Sequence, residues 1–329
     1  MKTTRAVVAL PYPAEMLDQI RKALWPAEVV MCSYDDWESI RRELRTADAA
    51  ILAIPPREPE AIIESGLTWL HCDLAGMDSF CTPAILGKEG LTITNASGRS
   101  SIALAEHAVM FALALAYRLP VLYQAQQQKH WLGEMPQGST SLTGKTMGII
   151  GAGSIGCEVA RLAKAFSMRV LGYRKTISSI PPNFDEMNIG VQYLPTVLKQ
   201  SDFVVLAMPL SDETFHMIGR QQLAAMKSTA FLINMARGAI VDEKALVDAL
   251  ESGIIAGAGL DTFATEPLPR TSPLWQLPNV LITPHATPPQ TDKRERSFAA
   301  ILHNIQAYQE GTEMRNVVRP YHAFSGGIQ

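Results

Sequence analysis

Ten residues, 147–156 (MGIIGAGSIG), constrain the fold of this chain more than any other stretch. Residues 147–150 are short and apolar, as a buried parallel strand is. Gly151, Gly153 and Gly156 follow at once with the spacing G-x-G-x-x-G, and residues 154–166 continue with helical periodicity. Strand, glycine turn and helix in that order are the context that a dinucleotide-binding turn requires. Gly151 permits the tight turn, Gly153 lets a pyrophosphate approach the backbone, and Gly156 lets helix and strand pack closely. The free N–H groups of the helix N-terminus then face the phosphates.

The remaining chain has to be compatible with such a unit. Its 329 residues suffice for two domains, each with its own core. A hydrophobic share of 47% and a charged share of 19% are those of an ordinary globular protein. A net charge of −3 argues against a nucleic-acid or membrane partner held by electrostatics. The four cysteines, Cys32, Cys72, Cys81 and Cys157, are scattered without C-x-x-C or metal spacing. They read as reduced thiols of a cytoplasmic protein, and no metal is expected. The N-terminus, MKTTRAVVALPYP, lacks the apolar core of a signal peptide. The most apolar stretch, residues 107–117, is shorter than the roughly 18 residues of a membrane span.

Before the glycine turn, strand-like segments at 6–10, 28–31, 49–54, 69–74 and 91–94 alternate with helical ones at 14–24, 36–46, 59–65 and 81–87. In 36–46, Trp37, Ile40 and Leu44 recur at helical spacing on one face. Alternation of this kind implies a parallel sheet covered by helices. A long helix is expected over 102–129, with Pro120 as a kink; its all-round apolar first part points to burial on several sides and to a homodimer. Strands at 147–150, 169–173, 203–207, 230–233, 256–260 and 280–283 give a second sheet of six, with helices at 194–200, 221–226 and 242–252. A last helix over 289–310, after the turn Thr287-Pro-Pro-Gln290, returns to the first domain. The fold class is therefore α/β, two Rossmann-like or flavodoxin-like parallel-sheet domains with an interdomain cleft for ligand. Residues 1–101 plus 289–329 form a discontinuous substrate domain, and 102–288 the dinucleotide domain.

Three chemistry-bearing residues, Arg237, Glu266 and His285, fall just past consecutive strands of the second sheet, so they can converge on one site. After the strand at 169–173, where an NAD-binding unit carries an acid for the ribose, the chain reads Tyr173-Arg174-Lys175. Two cations there suit a 2′-phosphate, which favours NADP over NAD.

The ordered motifs Ala75-Gly-Met-Asp78, Ala105-Glu-His-Ala108, Leu142-Thr-Gly-Lys-Thr146, Asn234-Met-Ala-Arg-Gly238, Gly259-Leu-Asp-Thr-Phe263, Glu266-Pro-Leu268 and Thr283-Pro-His285 resemble the D-isomer-specific 2-hydroxyacid dehydrogenase family. This family includes glyoxylate/hydroxypyruvate reductases and phosphoglycerate dehydrogenases. The resemblance covers nearly the whole chain and implies the short form, without a further regulatory domain. It implies that His285 donates a proton when a small 2-keto acid is reduced, and takes one back in reverse. Glu266 fixes the imidazole's tautomer and favours the imidazolium. Arg237 pairs with the substrate carboxylate and polarises the keto oxygen.

For the cofactor, the resemblance implies backbone N–H groups of Ser154 and Ile155 on the pyrophosphate. Met208, Pro209, Thr214, Met235, Ala236, Arg237 and His285 line the ribose and nicotinamide, and Asp261 faces the carboxamide. For the substrate it implies the backbone of Ala75, Gly76 and Met77, with Arg237 and His285. The chain departs from the family pattern at Arg174, in the turn 286–289 and at Leu74-Ala75. Two other readings stay open on sequence: a nucleotide-sensing corepressor-like binding protein, and a dehydrogenase of the same fold acting on an oxyanion such as phosphite.

Overall fold

The computed structural model describes residues 3–55, 58–78, 80–175, 180–286 and 290–326. The chain divides into two compact units, Met1–Arg99 with Gln290–Ile328, and Ser100–Pro289.

In the first unit, β1 (Arg5–Ala9), β2 (Glu28–Met31), β3 (Ala49–Leu52), β4 (Trp69–Cys72) and β5 (Thr92–Asn95) form one parallel sheet in the order β2-β1-β3-β4-β5. Helices α1 (Ala14–Ala23), α2 (Trp37–Leu44), α3 (Pro59–Ile63) and α4 (Pro83–Leu86) connect the strands. The central strands are mostly apolar because both faces of the sheet are covered. Val7 and Ala9 pack with Ile40 and Leu44 of α2 on one face, while Ala6, Val8 and Trp69 pack with Ile301, Ile305 and Tyr308 on the other. Those last three come from the returning helix Lys293–Glu310. Asp36 caps α2 by accepting the Ser39 N–H at 3.1 Å, which satisfies one of the free donors of the helix start.

The described residues of the second unit hold seven parallel strands: β6 (Thr146–Ile150), β7 (Arg169–Arg174), β8 (Glu186–Ile189), β9 (Phe203–Leu206), β10 (Phe231–Asn234), β11 (Gly257–Leu260) and β12 (Val280–Ile282). Their order, β12-β11-β10-β9-β6-β7-β8, is that of a doubly wound dinucleotide domain with one added edge strand. It reverses direction between β6 and β9, where such sheets bind ligands. Two sequence expectations are corrected here. The sheet has seven strands rather than six, because β8 (EMNI) is a polar edge strand without the apolar run of its neighbours. The expected helix 102–129 is two helices, α5 (Ser101–Ala116) and α6 (Leu119–Gln127), bent by 65°. The break lies at Arg118, which is left-handed (φ 52°), and Pro120 sits in the first turn of α6. There its missing N–H costs no hydrogen bond.

Helix α5 is apolar because it is a core element. It packs on α7 (Ser154–Ala165), β10 and β11, and Gly259 makes room for it: a Cβ there would stand 2.6 Å from the Phe111 ring. Among the described residues no single helix is long and apolar enough to cross a membrane. The unit is completed by α8 (Leu194–Gln200), α9 (Arg220–Ala225) and α10 (Glu243–Glu251). The four cysteines are free thiols. The proline turn expected over 287–290 falls, at 287–289, outside the described residues.

Candidate active site

The glycine turn joins β6 to α7. Gly151 has φ +106° and donates its N–H to the Tyr173 carbonyl at 3.1 Å, which ties the turn to β7. A Cβ at Gly151 would stand 2.6 Å from the Ala207 carbonyl, and one at Gly156 2.1 Å from the Gly151 carbonyl, so neither position admits a side chain. Gly153 is different: a Cβ there would meet nothing within 4 Å. The turn is tight towards the protein and open outwards, beside the first residues of α7, Ser154 and Ile155. That is the cradle a pyrophosphate needs. Tyr173 is buried, and burial pushes its phenol up. Arg174 ends β7 and donates from Nη2 to the Ala152 carbonyl inside the turn. Lys175 is exposed and pairs with Glu213. After β9, Thr214 closes a compact loop: its hydroxyl donates to the Pro209 carbonyl at 2.8 Å and accepts the Ser211 N–H at 2.8 Å, with Met208 at the loop's start.

Strands β10, β11 and β12 lie side by side and deliver the remaining candidates. Asn234, the last residue of β10, organises the first segment. Its side chain accepts the Ala236 N–H and donates to the Arg237 carbonyl, both at 3.0 Å. Met235 and Ala236 are buried, and the Arg237 guanidinium donates to the Ala236 carbonyl at 2.8 Å. Gly238 then runs so close to the Phe263 backbone that a Cβ would overlap its carbonyl carbon at 1.8 Å. Past β11, Glu266 turns back on its own loop, and Oε1 accepts the Phe263 N–H at 2.9 Å. Its other oxygen, Oε2, lies 2.6 Å from His285 Nδ1. Both side chains are partly exposed, 35% for Glu266 and 43% for His285. Because a carboxylate accepts, His285 is protonated at Nδ1, and Nε2 is the nitrogen turned to other chemistry. Asp261 is buried and accepts from the Thr283 hydroxyl at 2.6 Å. Among the described residues no group of His, Cys, Asp and Glu could hold a metal ion.

In the first unit, Ala75, Gly76 and Met77 follow β4. The Leu74 carbonyl accepts from Ala96 N at 2.9 Å and the Ala75 carbonyl from Asn95 Nδ2 at 3.2 Å, which pins the loop to the end of β5. Among the described residues no hydrogen bond takes the N–H of Ala75, Gly76 or Met77. The loop springs from Asp73, a buried carboxylate that sequence reading missed. Asp73 accepts from the Tyr12 hydroxyl at 2.9 Å, from Ser297 and from Arg99, whose guanidinium also reaches the Asp73 carbonyl. Burial, and then the Asp73 carboxylate, pushes the Tyr12 phenol up. Thr283 and His107, linked at 3.1 Å, were missed too, although both stood inside motifs already noted.

Comparison with known proteins agrees with this layout. Residues 109–287 match the family described as "D-isomer specific 2-hydroxyacid dehydrogenase, NAD binding domain". A glyoxylate reductase of Korarchaeum cryptofilum is 40% identical over 236 residues, 70% of either chain. One of Pyrococcus furiosus is 35% identical over 284 residues, 83% of either chain. The solved D-isomer specific 2-hydroxyacid dehydrogenase of Xanthobacter autotrophicus, in complex with NADPH and MES, superposes with a TM-score of 0.77 at 25% identity. That match covers 97% of this chain and 99% of the other. Matched by the family's sequence model and by relatives that it spans over most of their length, the chain belongs to the D-isomer-specific 2-hydroxyacid dehydrogenases, which are NAD(P)-dependent oxidoreductases.

Proposed function

We propose that this family member reduces a small 2-keto acid, glyoxylate or hydroxypyruvate foremost, to the D-2-hydroxy acid with NADPH, and that His285 is its proton donor. The observation that carries this reading is the 2.6 Å hydrogen bond between Glu266 and His285 Nδ1, which follow β11 and β12, the two strands next in order to β10, the strand that delivers Arg237. Glu266 holds the ring with Nε2 outward, so a proton passes from Nε2 to the keto oxygen as that oxygen becomes a hydroxyl. Arg237 binds the substrate carboxylate and stabilises the charge that develops on the same oxygen. The N–H groups of Ala75, Gly76 and Met77 hold the carboxylate as well, and the discontinuous unit is the substrate domain.

The cofactor supplies the hydride. The open side of Gly153 fits its pyrophosphate, with Gly151, Ser154, Ile155 and Gly156 around it. Met208, Pro209, Thr214, Met235, Ala236 and Asp261 line its nicotinamide half, and Tyr173, Arg174 and Lys175 its adenosine half. Arg174 stands where a carboxylate would favour NAD, which supports NADP. Both relatives named above are glyoxylate reductases, which supports the substrate class. Free thiols suit a cytoplasmic enzyme. Exposed apolar side chains on α5 and α6 suit a homodimer.

The test is oxidation of NADPH and of NADH by a panel of 2-keto acids, for the wild type and for His285→Ala. NADPH oxidation with glyoxylate or hydroxypyruvate is expected, and His285→Ala lowers kcat by about 10²–10⁴-fold while NADPH still binds. A His285→Ala enzyme with near-normal kcat sinks the proton-donor role. Tight NADPH binding without turnover of any acid moves the reading to a nucleotide sensor or to an oxyanion substrate.

A further inference from the structure

The geometry points to Asp261 as a positioning residue for His285: through Thr283 and the Ala286 N–H it grips the turn that carries the imidazole, and His107 orients the grip. This rests on His285 being the proton donor.

His285 has φ +50°, in the left-handed region that disfavours a residue with a Cβ. Such a conformation persists only where its surroundings hold it. One oxygen does so. Asp261 Oδ1 accepts from the Thr283 hydroxyl at 2.6 Å and from the Ala286 N–H at 3.3 Å, so its two donors bracket Pro284 and His285. Asp261 is itself 1% exposed, and its N–H is bonded to the Asn234 carbonyl at 3.1 Å. Asn234 is also the residue that holds the Arg237 backbone. The turn of His285 and the segment of Arg237 are thereby referred to the same strand end. Among the described residues no hydrogen bond reaches Asp261 Oδ2, so the grip on the turn uses only one of the two oxygens.

The direction of the bonds follows from counting hydrogens. Thr283 has one hydroxyl hydrogen, and the Asp261 carboxylate takes it. His107 Nε2, 3.1 Å from the same hydroxyl oxygen, must therefore donate. His107 is then the Nε2–H tautomer, and its Nδ1 is buried without a hydrogen-bond partner among the described residues. The ring is fixed by stacking on Phe111 at 4.8 Å, and burial favours its neutral form. An imidazole kept neutral and pointed at Thr283 leaves the hydroxyl one orientation, towards Asp261. The clamp uses no group that touches substrate, and neither Thr283 nor His107 contacts the Glu266–His285 pair by a hydrogen bond.

The experiment compares Thr283→Val, which keeps the shape and removes the hydroxyl, with Thr283→Ser, which restores it, in the full-length protein. Thr283→Val is expected to lower kcat for glyoxylate with NADPH by about 10–100-fold, as a misplaced acid does, with the NADPH Kd unchanged. Thr283→Ser keeps the wild-type kcat. In the cofactor-free protein with ¹³C-labelled histidine, the His285 Cε1–H signal, identified by its loss in His285→Ala, shifts or splits in Thr283→Val and returns in Thr283→Ser. In the His285→Ala background Thr283→Val costs nothing further, because the positioned group is gone. An unmoved His285 signal, or a full additional loss in that background, overturns the clamp. Normal turnover by His285→Ala alone overturns the proton-donor reading instead, and leaves the spectroscopic arm to judge the clamp. If the valine variant does not fold, Thr283→Ala, which adds no methyl to the buried site, makes the same comparison.

Discussion

Arg174 shows how much one side chain at a strand end decides. It closes β7 where a carboxylate would bind a ribose diol, and its guanidinium already reaches the Ala152 carbonyl of the glycine turn. Replacing it with an acid removes the charge a 2′-phosphate needs and supplies the acceptor a 2′-hydroxyl needs. Arg174→Asp is expected to move the NADPH/NADH ratio of kcat/KM towards NADH by about 10–100-fold, the worth of one or two charge-assisted hydrogen bonds; steady-state kinetics with both cofactors read it directly. At this scale the sequence exposed the Glu266–His285 pair, because reactive residue types stand just past apolar strands. It hid Thr283 and His107, whose hydrogen bond spans 176 positions. No local pattern encodes such a contact. The same holds for Asp73, whose partners Tyr12, Arg99 and Ser297 come from three distant segments.

Strand β4 carries the clearest consequence of one element for the stability of the fold. His71 is fully buried on it with Nδ1 on the Thr94 hydroxyl at 2.9 Å. Burial, with Arg99 nearby, pushes its pKa down to about 3 from 6.5. The unfolded chain therefore takes up a proton below about pH 6.5 that the folded chain refuses. The stability this contributes is whole above pH 6.5, and as pH falls towards 3 it is lost at about 1.4 kcal/mol per unit. Urea unfolding at pH 7 and pH 5 should show His71→Gln losing about 2 kcal/mol less than the wild type across that interval.

Elements of this kind were legible where composition left no choice. The buried strands are runs of Val, Ile, Leu and Ala, and α2 shows its face by spacing. Strand β8 was not legible, because an edge strand with one covered position can be as polar as a loop. Nor was the break between α5 and α6. Pro120 drew attention to itself, whereas the backbone turns two residues earlier at Arg118, a residue type that carries no turn signal.

At the scale of the molecule, each sheet reverses its strand order once, the first between β1 and β3 and the second between β6 and β9. The parallel α/β architecture was readable from strand–helix alternation alone. Side chains left uncovered bear on assembly. Tyr117, Leu119, Val121 and Tyr123 are exposed around the α5–α6 bend, and Trp131 beyond it is 91% exposed. In the homodimer proposed above, this run is the surface assigned to the contact with another copy. Sedimentation equilibrium at micromolar concentration is expected to give twice the chain mass, and Leu119→Asp with Tyr123→Asp to give the monomer mass. A monomeric wild type would sink the homodimer.

The discontinuity of the first unit matters for how the chain is made. Its sheet leaves the ribosome first, yet one face is covered by Ile301, Ile305 and Tyr308, and Asp73 meets Ser297 only in the last helix. The second unit is contiguous and has all its strands once residue 282 has emerged. Synthesis therefore inverts the order of completion: the segment made first is finished last. Trp69, with Ala6 and Val8 beside it, waits without Ile301, Ile305 and Tyr308 while the whole dinucleotide domain is translated, which makes this face the one a nascent-chain chaperone would shield.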